Sequence, residues 1–343
     1  MLQGHGDDAY RYGDRIRVNF SSNVWYGADL SGLWRHLSGC LERLSGYPEP
    51  DAASLAGRLA RRWDLAPENV CVTNGATEAF YLIAQAWGGR HSVIVVPSFS
   101  EYEDACTLHG HRMTFVDLDA LLEGEASLEG EGLVWLCNPN NPDGRTVDPE
   151  RLCRLIEAHP DRVFVVDHSY AAFTLCPVLD VQRACMLENV ILVHSMTKQY
   201  AVAGLRLGYL TASEGLIRRI AMHRMPWSVN ALAVEAGRYL LDHEAEFELP
   251  LASYLAEAVR FRQAVGSIPG VETLPSDCHF FTGVLAQGKS AELKEYLARE
   301  KGLLIRDASN FRGYGEGHFR LATQRPEEND RCVQAIAEWM NRF

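Results

Sequence analysis

One lysine, Lys198, stands where carbonyl chemistry could be done. Ser195, Met196 and Thr197 precede it, and Gly204, Arg206 and Gly208 follow it. The stretch begins with an apolar, β-branched run, Val190-Ile191-Leu192-Val193, which reads as a buried strand. Two uses fit a lysine at the end of such a strand. It is a surface lysine on a loop, as most lysines are. Or it is an amine whose pKa is lowered by its surroundings and which adds to a carbonyl group to form a Schiff base. Similar polar clusters close other apolar runs. Thr73-Asn74-Gly75-Ala76-Thr77-Glu78 follows residues 70–72, Phe99 follows 92–96, Asn141 lies beyond 132–136, and Asp167-His168-Ser169-Tyr170 ends 163–166. The first of these runs into a helical stretch, 79–87. Free N–H groups at a helix start make an anion site, and Gly75 lets the backbone come close to the anion.

These clusters need elements that bring them together. Short apolar strands at 70–72, 92–96, 112–116, 132–136, 163–166 and 190–193 alternate with helical stretches at 79–87, 101–109 and 148–159. That alternation predicts an α/β fold with a mainly parallel sheet and helices on both faces. Ligands in such sheets bind at the carboxyl ends of the strands, which is where the polar clusters fall. The texture changes after residue 215. Helices are predicted at 216–225 and 231–265, the latter interrupted near Pro250, then strands at 271–274, 280–285, 303–306 and 318–322 and helices at 290–301 and 326–342. The expected organisation is an irregular N-terminal arm over 1–29, a large domain over 30–230 and a smaller α+β domain over 231–343. Helical spacing at 30–44 and 52–63 opens the large domain, with a Gly46-Tyr47-Pro48 break between the two.

Composition narrows the function classes. A net charge of −12 without a basic run argues against a nucleic-acid surface. No stretch reaches the ~18 consecutive apolar residues of a membrane span. The first residues are polar and lack the apolar centre of a signal peptide. The nine cysteines are scattered and show no CxxC pair, so they are expected to be reduced, in a cytoplasmic protein without structural metal.

Taken jointly, Gly75-Ala76-Thr77-Glu78, Pro97-Ser98-Phe99, Asn141-Pro142-Asp143-Gly144, Asp167 to Tyr170, Ser195 to Lys198, Gly204 to Tyr209 and Phe319-Arg320-Leu321 resemble the fold-type-I pyridoxal-phosphate enzymes of the class I/II aminotransferase superfamily. Order and spacing agree as well as identity does. The resemblance implies an aspartate-aminotransferase-like, PLP-dependent transferase fold and pyridoxal 5′-phosphate as cofactor. It implies that Lys198 carries the Schiff base, that Asp167 pairs with the pyridine nitrogen, and that Asn141 and Tyr170 bond the ring O3′. Phe99 would stack on the ring. Ala76, Thr77, Ser195, Thr197 and Arg206 would hold the cofactor phosphate, together with Tyr47 reaching over from the second subunit of a homodimer. Arg320 would bind a substrate carboxylate. Two departures stand out: Asp167-His168-Ser169-Tyr170 replaces the usual Asp-Glu-Ala-Tyr, and Val24-Trp25-Tyr26-Gly27 replaces an Asn-Pro-containing loop.

Two branches of the family fit best, one decarboxylating L-threonine O-3-phosphate to (R)-1-aminopropan-2-yl phosphate in cobalamin biosynthesis and one transaminating histidinol phosphate. His5-Gly6, the lysine segment and Ile305-Arg306-Asp307-Ala308-Ser309-Asn310-Phe311 resemble the decarboxylases. The expected substrate is a small phosphorylated amino acid or amine, with Arg306, Arg320, His5 and Asn23 as anchors for its two anions. The branches differ in which Cα bond is held perpendicular to the cofactor ring. A non-catalytic scaffold of the same fold is the third reading; Lys198 and Asp167 speak against it.

Overall fold

The computed structural model describes residues 7–128 and 130–342; His5 lies outside the described residues. Among the described residues there are thirteen strands, β1 (Val18–Asn19), β2 (Val70–Thr73), β3 (His91–Val96), β4 (Arg112–Asp117), β5 (Gly132–Cys137), β6 (Arg162–Asp167), β7 (Val190–Ser195), β8 (Gly208–Ala212), β9 (Val271–Thr273), β10 (Phe280–Leu285), β11 (Leu303–Leu304), β12 (Arg306–Asp307) and β13 (His318–Ala322). Seven of them form one sheet in the order β2-β8-β7-β6-β5-β3-β4. Neighbours in it are parallel except β8, which runs antiparallel to both β2 and β7. β5 and β7 are buried almost throughout, as continuous apolar runs covered on both faces must be. The fold is therefore the α/β architecture that the alternation predicts.

The remaining strands are short. β12-β13-β10-β9 form an antiparallel sheet, and β1 pairs with β11 in parallel. The strand predicted over 303–306 is thus two strands in two sheets. Leu303 and Leu304 pair with Val18 and Asn19, whereas Arg306 faces Arg320 across the antiparallel sheet. The helix predicted over 231–265 is two helices, Ala231–Asp242 and Leu251–Gly266, with a 3₁₀ turn at Glu244–Phe247 between them and Pro250, which has no N–H to donate, as the N-cap of the second. The helix predicted over 30–44 ends at Ser38 and resumes as a 3₁₀ turn at Leu41–Ser45. A separate apolar cluster packs under the antiparallel sheet, with Phe261, Phe281, Phe319, Leu321 and Trp339 at its centre. All nine cysteines are free. No described helix is long and apolar enough to cross a membrane.

Candidate active site

The polar ends of β2, β3, β6 and β7 converge on a cavity of about 310 Å³. Of the residues singled out from the sequence, Asn23, Ala76, Thr77, Phe99, Asn141, Asp167, Tyr170, Ser195, Thr197, Lys198, Arg206, Arg306 and Arg320 all line it. Tyr47 does not. Its side chain is 88% exposed and packs against the ring of Trp227 at 5.2 Å, outside the cavity of its own chain.

One end of the cavity is an anion cradle. β2 turns at Asn74 into the helix Gly75–Ala86, whose first N–H groups have no partner within the helix. Gly75 holds φ at +77°, and a Cβ there would lie 2.6 Å from Arg206 Nη2. A Cβ on Gly208 would lie 2.6 Å from the backbone nitrogen of Ala76. Gly75 takes the positive φ without penalty, and at Gly208 a side chain would meet backbone that cannot give way. Arg206 itself sits in the left-handed region at φ +57°, an uncommon state for a side-chain-bearing residue. Ser195 Oγ and Thr197 Oγ1 lie 2.8 Å apart beside it. Two hydroxyls, a guanidinium and a helix N-terminus form the donor set that a phosphate monoester requires.

The middle of the cavity holds Lys198, Asp167, Tyr170 and Phe99. Lys198 is carried on the short helix Met196–Gln199 directly after β7, and its carbonyl accepts a bond from the backbone N–H of Trp25 at 3.0 Å. The Val24–Gly27 stretch thus fastens the lysine segment in place. Burial pulls the Lys198 pKa down to about 8, and Arg320 and Arg206 push the same way. A much larger share of its amine is therefore uncharged and nucleophilic near neutral pH than in an ordinary lysine. Asp167 accepts from the Ser169 N–H at 2.9 Å and from the Tyr102 hydroxyl at 2.6 Å. Burial raises its pKa, and the bonds from Ser169 and Tyr102 oppose that rise. A buried carboxylate of this kind asks for a protonated nitrogen to pair with. Burial also raises the Tyr170 pKa, so its hydroxyl keeps its proton.

The other end is built from buried side chains. Arg320 on β13 donates to Asn141 Oδ1 and, at 2.5 Å, to the Ser21 carbonyl; its Nε has no partner. Burial, reinforced by Arg306, lowers its pKa to about 10. Neither of its bonds goes to a carboxylate. Arg306 donates to Asn310 Oδ1 at 2.9 Å and lies 5.3 Å from the Phe311 ring. Asn23 is 2% exposed, and neither polar atom of its side chain has a partner. Two buried cations and an unsatisfied amide facing one cavity are a recognition site waiting for anions.

Tyr102 is the contact to Asp167 that sequence reading misses. It sits one helical turn after Phe99 on the helix Glu101–Leu108, and a wholly buried tyrosine there reads as core. Only the fold shows its hydroxyl on Asp167. Asp7 and Ser21 also line the cavity, from the irregular N-terminal segment, where no periodic signal marks them.

The fold and the site define an α/β enzyme of the pyridoxal-phosphate-dependent kind, and the donor set fits that cofactor: an anion cradle, an amine of lowered pKa and a buried carboxylate in one cavity. The family model for aminotransferase class I and II matches residues 18–336, and the chain belongs to that family. It is 42% identical to the L-threonine-O-3-phosphate decarboxylase of Porphyromonas gingivalis, with a TM-score of 0.92 over 94% of this chain and 99% of that one. Threonine-phosphate decarboxylase of Salmonella typhimurium is 29% identical over 93% of this chain and 90% of its own. Histidinol-phosphate aminotransferase of Thermoanaerobacter sp. is 30% identical over 85% of this chain and 84% of its own.

Proposed function

We propose that this protein decarboxylates L-threonine O-3-phosphate to (R)-1-aminopropan-2-yl phosphate, as a cytoplasmic enzyme of cobalamin biosynthesis. The observation that carries the reading is the pair of buried guanidiniums, Arg306 and Arg320, on adjacent strands of one sheet and facing one cavity. The threonine derivative brings two anions, a carboxylate and a phosphate. Histidinol phosphate brings one. The 42% identity to a protein named for this reaction supports the same choice.

Each residue has a task in this reading. Ala76, Thr77, Ser195, Thr197 and Arg206 hold the cofactor phosphate. Asp167 keeps the ring nitrogen protonated, Phe99 covers the ring, and Tyr170 and Asn141 donate to its O3′. Asn141 has its Oδ1 occupied by Arg320, so its amide NH₂ is the donor end. When bound, pyridoxal phosphate supplies an electron sink for the pair released as a bond to the substrate Cα breaks. Lys198 binds the cofactor carbonyl and afterwards stands beside Cα as the amine that moves a proton. Arg320 takes the substrate carboxylate in a fork that fixes its orientation, and Arg306 with Asn23 takes the phosphate.

A homodimer belongs to the same reading. The exposed Tyr47 would reach the cofactor phosphate of the partner chain. Sedimentation should give twice the chain mass, and Tyr47→Phe should loosen the cofactor although Tyr47 lies outside its own cavity. A fully active monomer would sink this part.

The reaction itself is tested by incubating the holoenzyme separately with each substrate. Carbon dioxide release is followed with phosphothreonine, and keto-acid-dependent amine transfer with histidinol phosphate. Release of CO₂ without amine transfer is the expected result. Ready transamination of histidinol phosphate with no CO₂ from phosphothreonine would replace this reading with that of an aminotransferase, the name several relatives carry at 28–30% identity.

A further inference from the structure

Far along the chain from the cavity motifs, three side chains meet with no chemistry yet assigned to them. His36 lies on the helix Ser31–Ser38, Cys40 just beyond its end, and Glu235 on the helix Ala231–Asp242. His36 Nε2 is 3.8 Å from Cys40 Sγ and 3.7 Å from Glu235 Oε2. One ligand atom from each of the three lies within 4.8 Å of the other two. None of the three residues lines the active-site cavity.

We infer that His36, Cys40 and Glu235 form a binding site for a zinc-type divalent cation that braces the helix Ser31–Ser38 against the helix Ala231–Asp242. The geometry is the first argument. A tetrahedral zinc with bonds of roughly 2.3 Å to sulfur and 2.0–2.1 Å to nitrogen and oxygen separates its ligand atoms by about 3.3–3.6 Å. The His36 edges, 3.8 and 3.7 Å, are a few tenths wider, and the Cys40–Glu235 edge lies within 4.8 Å, so an ion would draw the Cys40 and Glu235 side chains toward each other by rotation. The donor types are the second. Thiolate, imidazole and carboxylate together suit zinc and exclude magnesium or calcium, which take oxygen ligands.

The surroundings hold the donors in place. Glu235 is 6% exposed, and Arg43 and Arg238 both contact its Oε1, at 3.1 and 3.2 Å. That leaves Oε2 turned to His36. The two guanidiniums repel an ion, so the affinity falls below that of a closed structural site, but they also anchor the ligating carboxylate as outer-shell partners do. The His36 ring lies against Tyr239 at 4.9 Å, and Tyr239 stacks on His243 at 4.0 Å. The helices approach closely at this point: a Cβ on Gly32 would fall 2.5 Å from the Tyr239 hydroxyl. His36 and Cys40 are only half-buried, so water can supply the fourth ligand.

Linear spacing gives no hint of such a site, since Glu235 lies on a distant helix and Cys40 belongs to no CxxC pair. The expectation of a protein without metal rested on that spacing alone.

The test uses the chelator-treated holoenzyme with its pyridoxal phosphate retained. Titration calorimetry with Zn²⁺ should show one ion per chain. Binding should release a proton from the Cys40 thiol and weaken as pH falls. Co²⁺ in place of Zn²⁺ should give ligand-field bands to the red of the cofactor's own absorption. Cys40→Ser and His36→Ala should each lower the affinity by about 10- to 100-fold or more and abolish the Zn²⁺-dependent rise in melting temperature. Both variants should keep the cofactor's colour and full turnover, which shows that they fold. No uptake by the wild-type protein, or uptake that Cys40→Ser leaves unchanged, overturns the inference.

Discussion

The two ends of the active-site cavity are built in opposite ways. The cradle end is made of backbone and short side chains just beyond β2 and β7, Gly75 to Thr77, Ser195 and Thr197, closed by Arg206 just before β8. Its strain is local, stored in the positive φ of Gly75 and Arg206. The recognition end is assembled from distant segments: Ser21 and Asn23 before the sheet begins, Asn141 after β5, Arg306 on β12 and Arg320 on β13. Its strain is electrostatic, stored in Arg320, whose burial brings its pKa down to about 10. A site held by backbone N–H groups at a helix start is fixed by the local fold and recognises an anion whatever its neighbouring side chains. A site held by buried side chains from separate elements can be retuned one residue at a time. In the proposed reading the cradle holds the cofactor and the arginine end the substrate.

Lys198 stands between the two ends, and its removal is the most severe way to break the comparison. Lys198→Ala should leave no measurable turnover and no aldimine absorption band, while the cradle still retains the cofactor by its phosphate. Borohydride reduction and peptide mapping of the wild-type holoenzyme should place the adduct on Lys198 and on no other lysine. The pH dependence joins the ends. The amine is uncharged above about pH 8, so reductive labelling of the apoprotein with pyridoxal should rise with pH and level off above that value. Arg320 is a cation that disfavours the charged amine, so Arg320→Ala should move the same curve to higher pH.

Arg320→Ala should be the next largest effect. A two-pronged contact to a carboxylate lies at the upper end of the roughly 1.5–3 kcal/mol of charged hydrogen bonds, so kcat/KM for phosphothreonine should fall on the order of 100-fold. Cofactor binding should change little. A variant that loses its cofactor as readily as its substrate would mean that the two ends are not separable.

The same contrast explains what the sequence could and could not tell. Lys198, Asp167, Asn141 and Gly75 are legible because each closes a buried apolar strand, and a parallel sheet gathers its strand ends. Arg320 and Arg306 are legible as residues through Phe319-Arg320-Leu321 and the 304–311 stretch, but their pairing across β12 and β13 is a matter of register. No pattern within 303–306 says that the strand splits between two sheets at Ile305. The bond from Tyr102 to Asp167 joins the helix Glu101–Leu108 to the end of β6, and in sequence Tyr102 looks like an ordinary buried helix residue. The antiparallel β8 is likewise hidden, since an apolar run does not state its direction.

Tyr102 sharpens the comparison from the middle. Tyr102→Phe removes one hydroxyl bond from the Asp167 carboxylate and keeps the ring. The loss of about 1.5 kcal/mol should lower kcat roughly tenfold. With that donor gone, the opposing push of burial on Asp167 is less restrained, so its pKa should rise further. Activity should then fail at a higher pH on the acid side than in the wild type. A variant with unchanged kcat and an unchanged acid limb would reduce Tyr102 to core packing.

The smallest effect should come from Gly75→Ala, and it separates backbone strain from side-chain chemistry. Alanine at φ +77° carries a penalty of roughly 1 kcal/mol. Its Cβ would also stand 2.6 Å from Arg206 Nη2, so the guanidinium must give way. The arginine is long enough to move, and that relief keeps the effect modest. Pyridoxal phosphate should therefore bind about fivefold more weakly, with phosphothreonine KM unchanged once the cofactor is saturating. Equilibrium dialysis for the cofactor and steady-state kinetics at high cofactor concentration measure the two separately. If KM moved while cofactor affinity held, the cradle would be part of the substrate site, and the division of the cavity into two ends would fail.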